Sequence, residues 1–270
     1  MPVDSRLRDA VLFYLLALGM ATAVALLAPA LGDGVLLLTM FTPLAAVLAV
    51  RLLVVRDGWT LKAWADIGLH RPGFRYWPLA LILPLIVILP GYLLLWGTET
   101  GRLAVAADVS PPREAMRLAI AILAGAALGA LGEEVGWRGY LLPRLMPLGR
   151  WPAMFATGFL HGVWHLPLIL LTPFYHSAGT VWITVVLFLA TLTLAGGVYG
   201  TLRIASASIW PVALAHRALN TYWDRLDTMT QSGLGWLKDY VAGESGIAVI
   251  VTLALVLLVL RRWPVADGWR

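Results

Sequence analysis

The sequence predicts an all-α polytopic membrane protein, a bundle of about eight transmembrane helices with a polar site inside it. Two observations carry that class. The chain is 60% hydrophobic and only 13% charged, against about 25% charge in ordinary soluble domains, and its mean hydropathy is +0.81. Its charges also fall between apolar blocks, most of them long enough to cross a bilayer, which takes about 20 residues.

The blocks follow in order. Residues 10–32, 34–50 and 76–98 contain no Asp, Glu, Lys or Arg. The first is preceded by Arg6 and Arg8 like a signal peptide, but its 23 uncharged residues exceed the roughly 7–15 of a secretory h-region; it is expected to be a retained span. Residues 118–132 form a shorter block, rich in Ala and Gly, that ends at Glu133 and Glu134. The 52 uncharged residues of 151–202 are too many for one span. They divide near Pro173, His176 and Gly179 into 152–172 and 180–201. Residues 204–223 carry Pro211, His216 and Asn220, and 245–260 is an aliphatic run closed by Arg261 and Arg262.

Eight spans put both termini on one side. That side receives fourteen basic residues, Arg51, Arg144, Arg150, Arg203 and Arg270 among them; the other receives Arg102, Arg113, Arg117, Arg217, Arg225 and Lys238. The positive-inside rule makes the richer side, and both termini, cytoplasmic. The net charge of +5 and pI of 9.8 are spread between apolar blocks rather than gathered in one patch, so the expected partner is a lipid bilayer and not nucleic acid. The absence of cysteine excludes disulfide frameworks, thiol nucleophiles, cysteine zinc sites and iron–sulfur clusters. With no internal repeat or soluble domain, residues 1–270 read as a single transmembrane domain.

A charged side chain near the centre of a spanning helix costs about 2.5–3.5 kcal/mol, so it needs a partner or a purpose. Three places meet that description. In Gly132-Glu133-Glu134-Val135-Gly136-Trp137-Arg138-Gly139-Tyr140, Glu134 and Arg138 are four apart and share a helix face, while Glu133 points about 100° away. A solvated juxtamembrane turn is the plain structural alternative. In His161-Gly162-Val163-Trp164-His165-Leu166-Pro167 two imidazoles share one face of an apolar helix, spaced as in helical zinc motifs but without the HExxH glutamate. In His216-Arg217-Ala218-Leu219-Asn220 the same spacing recurs, and alone it reads equally as a cap or an interhelical hydrogen bond.

The three places reach a similar depth if Arg150 and Arg203 mark the interface. Glu133 lies 17 residues before Arg150, His165 lies 15 after it, and His216 lies 13 after Arg203. The small-residue pairs Gly125/Gly129 and Gly196/Gly200 would let neighbouring helices approach closely around them. There is no phosphate loop, dinucleotide fingerprint or serine elbow. A carboxylate beside an imidazole can take a proton from water, and a second histidine with an amide can donate hydrogen bonds to an oxyanion. The set suits hydrolysis of an acyl or peptide bond without a covalent nucleophile. It equally suits a bound zinc, which would lower the pKa of its water to about 7.

In order, Glu133-Glu134-x-x-x-Arg138, then His165, then His216-x-x-x-Asn220 resemble the EExxxR, second-motif histidine and HxxxN motifs of one family. It is the CAAX protease and bacteriocin-processing family of intramembrane proteases, which includes the type II CAAX prenyl endopeptidases. The resemblance covers a catalytic core of about 117–223 and implies an intramembrane endopeptidase acting on a membrane-associated or prenylated peptide or protein. It implies that Glu133 activates water with His165 as its partner, that His216 and Asn220 stabilise the oxyanion, and that Glu134 and Arg138 hold the first motif. Family members are described both as metalloproteases, which here would use Zn²⁺ on Glu133, His165 and His216, and as metal-free glutamate proteases. The family usually has Phe four residues before the second-motif histidine; here it is His161, which either adds a ligand or, the favoured reading, fills the aromatic slot. Trp137 likewise replaces a common Phe. Two other classes stay open: a non-catalytic immunity or partner protein using the same fold, and a proton-coupled transporter with a Glu/His relay, against which the lack of repeats counts.

Overall fold

The computed structural model describes residues 3–105, 110–172 and 179–263; Pro173, His176 and Arg270 lie outside them. Each apolar block forms a helix, because in hydrocarbon the backbone N–H and C=O groups must be satisfied within the segment. The order is α1 (Val3–Leu31), α2 (Asp33–Val54), α3 (Phe74–Gly97), α4 (Pro111–Leu148), α5 (Arg150–Leu171) and α6 (Val181–Ser206). There follow α7 (Trp210–Thr228), the short α8 (Gly235–Val241) and α9 (Ile247–Leu260). Among the described residues, six helices, α1 to α6, are long and apolar enough to cross a membrane. The two remaining expected spans fall on α7, whose 19 residues include charged ones, and on α9, with 14 residues. The structure therefore supports a polytopic helical bundle without fixing the count at eight.

Two features depart from the sequence expectation. The bundle has one two-stranded antiparallel ladder, β1 (Arg102–Leu103) with β2 (Thr230–Gln231), tying the α3–α4 connector to the one after α7. More consequentially, the fourth helix does not end at Glu133 and Glu134: α4 continues to Leu148, where Gly149 turns away with φ 98°. The two glutamates thus sit inside a helix. Wide π-helical turns flank them at Ala126–Ala130 and Val135–Leu141; such turns re-aim side chains and occur often at functional sites.

Glycines decide which way this helix faces. Gly132, Gly136 and Gly139 form one face, where an added Cβ would press on the Met40 carbonyl, on Pro43 and on Ile67 respectively. That face abuts α2 and the α2–α3 connector, and Glu134, two residues past Gly132 and so about 200° round, is turned to the opposite side. The same device joins α5 to α6. A Cβ on Gly158 would collide with the Leu192 carbonyl and stand 2.8 Å from the Gly196 Cα. Gly162, one turn on, seats Leu189, leaving His161 and His165 on the adjoining face. Gly158→Ala is accordingly expected to destabilise the protein by about 1–3 kcal/mol, the usual cost of overpacking. Gly129→Ala, where only Met40 atoms lie at 3.5 Å, is expected to be tolerated. Thermal unfolding of both variants in one lipid mixture checks the difference.

At the end of the bundle where α2 and α4 finish, three arginines converge on the α2–α3 connector. Arg51 pairs with Asp66, Arg144 Nη1 lies 3.5 Å from it, and Arg203 Nη2 donates to its carbonyl at 2.6 Å. All three are buried. They clamp a connector rather than face lipid headgroups.

Candidate active site

Six of the predicted side chains, Glu133, Glu134, Arg138, His161, His165 and His216, meet between α4, α5 and α7. Glu134, on α4, is fully buried and accepts from Arg138 Nη1 at 2.9 and 3.2 Å on its two carboxylate oxygens. The expected i,i+4 pair exists, but inside the protein; the solvated-turn alternative is overturned. Glu134 Oε1 also accepts from His216 Nδ1 of α7 at 2.8 Å. Two donors on one carboxylate compensate for the desolvation that an isolated buried charge would suffer.

Glu133 is 6% exposed. Its Oε2 lies 3.0 Å from His161 Nε2, and His161 Nδ1 in turn lies 3.2 Å from Arg138 Nη1. His165, one turn along α5, donates Nδ1–H to the His161 carbonyl at 3.0 Å. A histidine that gives its Nδ1 proton to the backbone keeps an acceptor at Nε2. The rings are close: His161 to His165 centroids are 4.9 Å apart and His161 to His216 6.1 Å.

His161 stacks on Trp137 at 4.9 Å with 27° between the planes, and it also hydrogen bonds on both nitrogens. Donor atoms of Glu133, His161 and His165 all lie within 4.8 Å of one another, a buried group that could hold a metal ion. The compact group therefore contains His161 in place of the expected His216, whose Nδ1 is on Glu134. Asn220 lies one turn beyond His216 on the same face of α7, half-buried, with no hydrogen-bond partner among the described residues.

Two contributors escaped the sequence reading. Tyr199 of α6 stacks on His216 at 6.2 Å and 19° and offers its ring face to Arg138, 5.2 Å away. Nothing in an uncharged 52-residue run distinguishes it from core. Glu244, in the turn between α8 and α9, is half-buried, and its charge is felt by His216 and Glu133. Burial pushes its carboxyl above the ordinary range, the positive His216 working against it. It lies in a stretch that reads as a hydrophilic connector. Arg217, placed at an interface by the charge rule, instead runs along the α4–α7 seam, its Nε donating to the Ala121 carbonyl at 3.3 Å.

No curated protein matches the chain. Residues 115–222, the stretch that holds Glu133, Glu134, Arg138, His161, His165, His216 and Asn220, match the Rce1-like family model, type II CAAX prenyl endopeptidase Rce1-like, and the chain thus carries an Rce1-like domain there.

Proposed function

We propose that the protein is an intramembrane endopeptidase in which Glu133 and His165 activate a water molecule. An Rce1-like domain implies a protease, a peptide substrate and a membrane setting; the mechanism and the substrate are our reading. The observation that carries it is the pattern of hydrogen bonds around Glu133. His161 occupies one carboxylate oxygen, Oε2, which leaves Oε1 to face a water, and His165 donates its Nδ1–H to the His161 carbonyl, so that in the neutral ring Nε2 can accept a second hydrogen of that water. Between them the water is oriented with its lone pair toward an incoming carbonyl, and Glu133 takes its proton as the C–O bond forms.

The oxyanion then needs donors. His216, with Nδ1–H held by Glu134, presents Nε2 to the substrate; in the imidazolium form that nitrogen carries a proton to donate. Asn220 adds an amide N–H. When the tetrahedral intermediate collapses, the C–N bond breaks and the proton held by Glu133 passes to the amine. Water is consumed and a carboxylate and an amine are formed.

The Glu133, His161 and His165 group raises a metal-dependent version. Its weak member is His161: Arg138 always donates, so Nδ1 must carry the lone pair and Nε2 the proton. A ligand there would displace either the arginine or the proton, so no step is routed through a metal. We place the catalytic core at about 117–223 within one transmembrane domain, with both termini cytoplasmic, and a membrane-associated or prenylated peptide as substrate.

Asn220→Ala is expected to lower kcat by about 100- to 1,000-fold, the usual effect of removing one oxyanion donor. Steady-state cleavage of a prenylated peptide and its unprenylated counterpart by protein in lipid nanodiscs measures this. Unchanged kcat would remove Asn220 from the mechanism, and equal kcat/KM for the two peptides would remove the prenyl preference.

A further inference from the structure

Arg138 Nη1 has two protons. One goes to Glu134, the other points at His161 Nδ1 at 3.2 Å. A guanidinium has no acceptor and does not lose its charge in proteins, so this contact admits a single tautomer: Nδ1 bare, Nε2 protonated. That proton faces Glu133 Oε2 at 3.0 Å. Trp137, stacked on the ring, fixes its plane, and Arg138, His161 and Glu133 are all buried, at 0%, 2% and 6% exposure.

We infer that His161 is a positioning residue, locked by Arg138 as the Nε2–H tautomer, which holds Oε2 of Glu133 and so aims Oε1 at the water. This deepens the proposed reading and rests on Glu133 being the base. It assigns His161 a task that neither expectation gave it. A phenylalanine would fill the slot beside Trp137 but offer Glu133 no donor, and a metal ligand would need a lone pair where the proton sits. The first motif thereby acts on Glu133 twice, through the backbone of α4 and through a histidine on α5, so that Arg138 organises both glutamates from one nitrogen.

The test uses the full chain in lipid nanodiscs. With the five histidines labelled with ¹⁵N and His161 assigned by difference against His161→Gln, its Nδ1 is expected to be unprotonated and Nε2 protonated at neutral pH. A protonated Nδ1 would overturn the inference. In peptide cleavage, His161→Phe is expected to lower kcat about 10- to 100-fold, as loss of a supporting partner of a site residue does, with KM little changed. His161→Gln, whose amide can donate to Glu133, is expected to recover part of that loss. Wild-type kcat in a folded His161→Phe, or a folded His161→Gln no better than Phe, would contradict the assignment. Zinc titration by calorimetry separates the ligand role: His161→Phe is expected to give the wild-type isotherm, and binding lost in this variant alone would make His161 a ligand. A wild-type protein that cleaves no peptide would refute the endopeptidase reading, while the ¹⁵N spectrum still decides the tautomer.

Discussion

Glu133→Gln is expected to lower kcat by about 100- to 10,000-fold, the range that a positioned general base contributes, while leaving the fold intact. The carboxamide has the same shape, and its oxygen can still accept from His161 Nε2, now 3.0 Å from Glu133 Oε2. What disappears is the ability to take a proton from water. The expected result is thus a folded protein with near-normal KM and very little turnover, read by steady-state kinetics beside a thermal unfolding curve. Turnover within a factor of a few of wild type would move the base elsewhere, His165 being the next candidate.

Arg138→Met is expected to act on stability as strongly as on activity. It strips the Glu134 carboxylate of one of its two partners, in a pair neither member of which has exposed surface, and removing one member of a buried ion pair typically costs about 3–5 kcal/mol. Glu134→Gln together with Arg138→Met removes both charges, so the double variant is expected to be more stable than Arg138→Met alone, a non-additivity that contacting residues show. Activity is not expected to return, because the double variant still lacks the arginine that holds His161 and the carboxylate that holds His216. Equilibrium unfolding of the two single variants and the double, in one lipid or detergent mixture, checks the cycle. Simple additivity would mean that the pair is not coupled as its 2.9 Å contact requires.

Much of the architecture was legible because a bilayer leaves few options. Apolar blocks become helices, and the block limits lie within several residues of the helices on all but the fourth. There the rule that charge ends a span failed, since Glu134 and Arg138 neutralise each other inside the protein and the Gly132, Gly136 and Gly139 face brings α4 hard against α2 and the connector that follows it. A residue count sees the charge and not its partner. The same limit explains the arginines: a count of basic residues shows on which side Arg51, Arg144 and Arg203 fall, and not that they gather on Asp66.

For the site, i,i+4 spacing brought out His161 with His165 and His216 with Asn220, and matched depths suggested their convergence. Spacing gives a face, however, and not a hydrogen-bond direction. It could not tell that His161 faces Glu133 and His216 faces Glu134. Tyr199 comes from an element whose pattern carries no anomaly, and only packing brings it to His216.

The most direct test of the account is the mass of the product. A prenylated peptide incubated in H₂¹⁸O with the wild-type protein in lipid nanodiscs is expected to yield a fragment with a new C-terminal carboxylate carrying one ¹⁸O atom per cleavage, and the Glu133→Gln protein is expected to leave the peptide whole. Intact peptide with folded wild-type protein, or equal cleavage by the two proteins, would contradict it.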